Sequence, residues 1–298
     1  MKIIKKNFVS DEIKNIKFSD IFLDIETTGL SKYSDYAWVI GIGYRENDDF
    51  VVEQIFIKSL AEEKNQLIYL NDKLKQFERI ITFNGNNFDI PFLKKRATNY
   101  KLELDFPEKN LDYFRLLKTS DKFLDLDSYS LVDLEKLMNI ERDDPLRGKK
   151  TLELYKMASE LDDEKIYDMI LNHNFYDIKN LPLLFRVPDL VLDIKTLKFN
   201  TVKFIINNFY IDRDMLFVEM ISDDVMSKIY INNNDLTMRG SNGKYNLLIP
   251  IKKTHIENEL TISFKNNGVV IKKGKYMYYN IKNELYNRMK AIILLLQK

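Results

Sequence analysis

Asp24 and Glu26 stand two residues apart in the stretch Phe22-Leu23-Asp24-Ile25-Glu26-Thr27-Thr28-Gly29-Leu30. The apolar bulk of Phe22, Leu23 and Ile25, followed by Thr28-Gly29, reads as a buried strand running into a tight turn. Strand side chains alternate between faces, so the two carboxylates share one. On a core strand they repel one another and resist desolvation unless a cation sits between them. A divalent metal ion answers that need; a solvated acidic face on an edge strand is the other reading. Two more acids have two readings each. Asp89 precedes Pro91 at a helix start, either as an ordinary N-cap or as a third ligand. Asp177 lies one helical turn after His173, so the two share a helix face, solvated or functional.

The elements that must position these residues follow from periodicity. After the acidic strand, Ala37 to Tyr44 and Phe50 to Ile57 read as strands joined by an Asn47-Asp48-Asp49 turn, giving an antiparallel meander. Leu60 to Phe77 carries leucines at helical spacing, and Arg79 to Phe83 is a short strand parallel to the first. Asn84-Gly85-Asn86-Asn87 breaks it before a helix through Ala97. Leu102 to Phe106 is a fifth candidate strand, and Ser130 caps a helix to Met138. Helices follow at Thr151 to Ser159, Asp163 to Asn172 and His173 to about Phe185, and 186–200 reads as a connector. The rest changes to short strands, at Val202–Ile206, Leu216–Met220, Lys228–Ile231, Tyr245–Ile251, Leu260–Phe264 and Val269–Ile271, and ends in an apolar helix, Ile281 to Leu296. Two domains are expected, 1–190 and 200–298.

Composition narrows the chemistry. The chain has 298 residues, no cysteine and two histidines, His173 and His255. Thiolate and histidine-cluster metal sites are therefore excluded, and a reducing compartment fits. No stretch is apolar for long enough to be a signal peptide or to cross a bilayer, so a soluble, cytoplasmic protein is expected. The net charge of +1 hides an asymmetry: residues 199–298 carry 15 Lys and Arg against 9 Asp and Glu. An acidic front half suits a carboxylate metal site, and a basic rear half suits a polyanion, although the field is mild.

Taken together, Asp24-x-Glu26, Asn84-Gly85-x-x-Phe88-Asp89 and Asp177 resemble the three motifs of the DEDD exonucleases, in order. Ser130-Leu131-x-x-Leu134-Glu135-x-x-Met138, Arg142-x-Asp144, Gly148 and His173-Asn174-x-x-Asp177 are similar to later segments of the YprB-like ribonuclease H-like family, over about 18–186. The resemblance implies an α/β, ribonuclease H-like mixed five-stranded sheet flanked by helices. A smaller β-rich C-terminal domain ending in a helix, which shows no resemblance, would follow it. It also implies a metal-dependent nuclease, a 3′-5′ exonuclease, using Mg²⁺ or Mn²⁺ as two ions, which hard oxygen donors select. Asp24 would bridge the ions, with Glu26, Asp89 and Asp177 completing their shells. His173 would be the general base or position the attacking water. DEDD exonucleases place a histidine five residues before the last acid or a tyrosine four before it. Here a histidine stands four before, so a surface or supporting role for His173 stays open. Thr27, Thr28 and Asn84 are candidate substrate contacts, or else strand and turn formers. The basic clusters Lys94-Lys95-Arg96, Arg147-Gly148-Lys149-Lys150 and Lys272-Lys273-Gly274-Lys275-Tyr276 either hold phosphates or form solvated faces. The implied partner is DNA or RNA, at a single-stranded 3′ end, with no membrane and with a protein partner for the C-terminal domain as a further option. The rival reading is a catalytically weak nucleic-acid-binding or protein-interaction module.

Overall fold

The computed structural model describes every residue except 10–13, 125–127, 145, 147, 200–201, 224–227, 257–258, 265–269, 273–276 and 297–298. The chain divides into two compact units, Met1–Thr119 with Ser128–Arg186, and Ser120–Asp127 with Val187–Lys298. In the first unit the strands are β1 (Lys2–Phe8), β2 (Asp20–Thr27), β3 (Ala37–Glu46), β4 (Asp49–Phe56), β5 (Arg79–Thr82) and β6 (Lys109–Asp112). They form one mixed sheet in the order β1-β4-β3-β2-β5-β6. The meander β2-β3-β4 is antiparallel, and β5 runs parallel to β2.

The α/β architecture agrees with the sequence reading, with three differences. The sheet has six strands rather than five, because the lysine-rich β1 adds to the free edge of β4. The last strand is Lys109–Asp112 instead of Leu102–Phe106; it pairs with β5 and ends on Asp112, which caps the helix α3 (Tyr113–Lys118). The helices α1 (Glu63–Leu74), α2 (Asp89–Thr98), α4 (Leu131–Leu137), α5 (Gly148–Leu161) and α6 (Glu164–Asn180) complete the unit. The third difference is that α6 runs unbroken through His173, where a helix boundary was expected.

The two sheet faces are covered by different helices. Leu23, Ile25, Ile40 and Ile42 pack with Leu67, Leu70 and Leu74 of α1 and with Phe92, Leu93 and Ala97 of α2. Trp38, Val39 and Phe56 pack with Tyr155 and Ala158 of α5 and with Tyr167, Ile170 and Leu171 of α6. Leu23 and Ile25 thus belong to the α1–α2 face, and strand alternation sends Asp24 and Glu26 to the α6 face. Two glycines let α6 come close. A Cβ on Gly41 would lie 2.4 Å from the Asn174 Oδ1, and one on Gly43 would lie 2.7 Å from Ile178.

In the second unit, helix α7 (Val187–Lys195) carries Pro188 in its first turn, where proline is tolerated. It occupies much of the expected connector. The strands β7 (Thr196–Phe199), β8 (Val202–Asp212), β9 (Met215–Ile221), β10 (Ile229–Asn232), β11 (Thr237–Ser241), β12 (Lys244–Ile256), β13 (Glu259–Phe264) and β14 (Val270–Lys272) make one antiparallel sheet. One face packs on the C-terminal helix α8 (Met277–Leu296) through Phe204, Met238, Leu247, Ile281 and Leu285. Asn242 and Gly243, both at positive φ, turn β11 into β12 as a two-residue hairpin requires. No helix among the described residues is long and apolar enough to cross a membrane.

Candidate catalytic carboxylate centre

The centre forms where β2 and β5 part. Their parallel pairing ends at Phe22 and Ile81, which leaves the Ile25 N–H without a strand partner on that side. Asp89 fills the gap: the Ile25 N–H donates to its Oδ1 at 3.0 Å. Asp89 therefore does not act as an N-cap; it opens α2 and turns its carboxylate back to the acidic strand. Asp24 is held from the other side. The Asn174 amide donates to Asp24 Oδ2 at 2.8 Å, and Gln54 on β4 donates to Asn174 Oδ1 at 2.8 Å and to the Leu171 carbonyl at 2.7 Å. This relay, in which Gln54 and Asn174 are buried and Asp24 half-buried, ties β4, α6 and β2 together.

His173 and Asp177 project from α6 one turn apart. The His173 Nδ1 lies 2.5 Å from Asp144 Oδ2, while Nε2 faces the acids, 3.6 Å from Asp177 Oδ2 and 4.0 Å from Glu26 Oε1. An Nδ1–H donated to Asp144 fixes the ring so that Nε2 is the nitrogen turned to the acids. Arg142 locks the arrangement. It reaches Asp177 at 2.5 Å, Asp144 at 3.0 Å and Glu135 at 3.1 Å, and Asn180 donates to the same Glu135 at 3.0 Å.

Crowding of negative charge shows in the acidities. Burial, then the carboxylates of Asp177, Asp89 and Glu26, raise Asp24 well above the usual carboxylate range, and the Asn174 bond only partly offsets them. Burial and Asp177 do the same to Glu26 against a hydrogen bond from Thr151. Asp89 is pushed up to about 7, chiefly by burial. Asp144 goes the other way. Its burial is outweighed by bonds from His173 and the Leu146 N–H, which hold it below its ordinary value. Asp24, Glu26 and Asp89 thus lack positive charge, and hard divalent cations suit such oxygen donors. Glu26, His173 and Asp177 each bring a ligand atom within 4.8 Å of the others, a spacing that fits a shared ion.

The family model of the RNase_H superfamily matches residues 21–187, more than half of the chain and the whole of this centre. The chain belongs to the RNase_H superfamily. No curated protein matches it. Among solved structures, the family B DNA polymerase of the hyperthermophilic archaeon Pyrobaculum calidifontis is similar at 15% identity and a TM-score of 0.46, over 58% of this chain and 25% of the polymerase. The chain thus spans about a quarter of that protein. Brucella melitensis NrnC is similar at 16% identity and a TM-score of 0.33, over 62% of this chain and 92% of NrnC. A structure of an ExoI/SSB-Ct complex is similar at 13% identity and a TM-score of 0.35, over 68% of this chain and 55% of that one.

Within this RNase_H superfamily fold, Asp24, Glu26, Asp89, His173 and Asp177 come together. The other candidates sit beside them, engaged in local bonds. The Thr27 hydroxyl donates to the Gly29 carbonyl at 2.7 Å, and Thr28 Oγ1 accepts from the Tyr36 N–H. Asn84, at positive φ, accepts from the Asn87 amide at 2.8 Å within the turn. Of the basic clusters, Arg96 is buried against Glu63 and so is structural. Arg147, and Lys273-Gly274-Lys275-Tyr276, lie outside the described residues. The residues given no role from sequence are Asp144, Arg142, Glu135, Asn174 and Gln54. Four belong to the segments that carried the family resemblance, and Gln54, in a plain strand, had no signal.

Proposed function

We propose that the chain is a divalent-metal-dependent nuclease of DEDD type, in the YprB-like branch, removing nucleotides from the 3′ end of single-stranded DNA or RNA. The observation that carries this reading is the convergence of Asp24, Glu26, Asp89 and Asp177 around an oriented His173, with three of those acids too crowded to ionise easily. Asp24, Glu26, Asp89 and Asp177 would hold an Mg²⁺ or Mn²⁺ pair. Bound there, the ions would supply Lewis-acid activation and charge neutralisation for phosphodiester hydrolysis. The His173 Nε2 takes a proton from the attacking water, whose oxygen bonds to phosphorus as the P–O3′ bond breaks. A nucleoside 5′-monophosphate leaves, and the departing O3′ takes a proton from solvent, so the shortened strand ends in a new 3′-hydroxyl. Asp144 holds the ring in the tautomer this needs. Thr27, Thr28 and Asn84 border the acids and would contact the terminal nucleotide. A cytoplasmic setting is proposed on the cysteine-free composition.

A second reading, a binding module that does little chemistry, draws on the ion pair between Arg142 and Asp177, which occupies one carboxylate. One assay separates the two. Purified protein is offered 5′-labelled single- and double-stranded DNA and RNA in Mg²⁺, Mn²⁺ or EDTA, beside Asp24→Asn. A ladder shortening from the 3′ end, lost in EDTA and in the variant, is expected. Internal cuts would discard the exonuclease mode; binding without cleavage would favour the module.

A further inference from the structure

The second unit lies mostly beyond the family match, and its sheet has one face packed on α8 and one open. Register places side chains on the open face in rows across the strands. Tyr230 pairs with Arg239, Arg239 with Asn246 and Asn246 with Glu219. The next row runs Thr237, Leu248, Phe217 and Tyr210. The rings of Tyr210 and Phe217 stack at 4.9 Å with only 1° between their planes. Tyr230 is 68% exposed and Tyr210 is 47% exposed, so both rings are open to a ligand. Lys228, Tyr230, Arg239, Lys244 and Asn246 line one open hollow of ≈ 900 Å³. That volume falls within the roughly 300–1,000 Å³ of ligand clefts. Lys228, Arg239 and Lys244 make no ion pair among the described residues, and Glu219 is the acid in their rows.

We infer that this face is a binding platform for single-stranded nucleic acid. Exposed rings on an open sheet face offer π-faces to unstacked bases, and the cations beside them take the phosphates. A duplex presents no free base faces, so the rings would have nothing to stack on. Two of the three cations are lysines, which protein interfaces disfavour, and that argues for a polyanion over a protein. The platform goes beyond the cleavage reading and does not depend on it, because binding is measured with cleavage abolished.

The test uses the full chain in EDTA, with fluorescence anisotropy of labelled oligothymidylate, oligouridylate and a DNA duplex at several salt concentrations. Single strands of either sugar should bind more tightly than duplex. Arg239→Gln with Lys244→Gln should weaken binding and lower the slope of log affinity against log salt by about 1.4, two phosphate contacts' worth. Tyr230→Ala should weaken single-strand binding about tenfold with the salt slope unchanged. Hydrogen exchange on the wild-type protein gives a second readout that needs no variant: oligonucleotide should protect β10, β11 and β12. Wild-type affinity in all variants, protection confined to other strands, duplex bound as well as single strands, or binding to phosphatidylserine vesicles but not to oligonucleotides would each overturn the platform.

Discussion

The acidic strand β2 and the open-faced strand β12 handle charge in opposite ways. In β2 the apolar residues are buried and Asp24 and Glu26, half-buried, face α6, where the Asn174 amide holds Asp24. In β12 burial alternates, with Tyr245, Leu247 and Ile249 inside and Lys244, Asn246 and Leu248 outside. Charge on the first strand is expensive and needs a counter-ion. Charge on the second is hydrated, costs little, and is free to meet a ligand. Buried acids without a cationic partner are where we propose that chemistry is done, and exposed charge beside exposed rings is where we propose that a strand is held.

The contrast can be broken most severely at Arg142. Arg142→Met leaves Glu135, Asp144 and Asp177 uncompensated and should cost about 3–5 kcal/mol in urea unfolding measured in EDTA. An unchanged midpoint would mean that the buried acids are solvated after all. The next effect is on pH. Asp89 has a raised pKa in the folded state, so its contribution to stability is present below the unfolded value of about 4 and is lost as pH rises through about 7. In EDTA the melting temperature should fall across that window. Mg²⁺ should restore it at pH 8, and Asp89→Asn should flatten the curve. A smaller effect is expected at Asp144. Asp144→Asn should lower kcat about 10- to 100-fold with KM nearly unchanged, as loss of a residue that orients another does. Equal loss in KM would point to a substrate contact instead. Smallest of all, Tyr230→Ala on the open face should move stability by no more than about 0.5 kcal/mol in the same unfolding experiment.

The sequence carried the acidic strand, the meander and the capping Ser130 clearly, because alternation and turn chemistry are local signals. The Ser130 hydroxyl accepts the Asp133 N–H as its spacing implied. Strand β1 was hidden by lysines, which edge strands carry for solubility and which blur the hydrophobic pattern. Strand β6 has no apolar alternation of its own and exists because β5 pairs with it. Helix α6 looked broken at Asn172-His173-Asn174, residues with weak helix propensity. It continues because Asn174 is spent on Asp24 and Gln54, a tertiary gain that outweighs propensity. Strand β11 escaped notice because Met238 is its only buried residue. At the site, the acids and His173 were legible as types at a spacing. The support for His173 was not, because Asp144 and Arg142 come from a loop whose meaning appears only when it meets α6.

Asp24, Glu26, Asp89 and Asp177 form the proposed cation centre, and direct titration tests it without any substrate. Mn²⁺ added to the metal-free protein, followed by calorimetry and by electron paramagnetic resonance of the free ion, should show two ions bound per chain. Asp24→Asn should bind none or one weakly, while melting at a higher temperature than wild type in EDTA, because one buried repulsion is gone. Wild-type protein that binds no Mn²⁺, or an Asp24→Asn variant that binds it as well as wild type, would contradict the account.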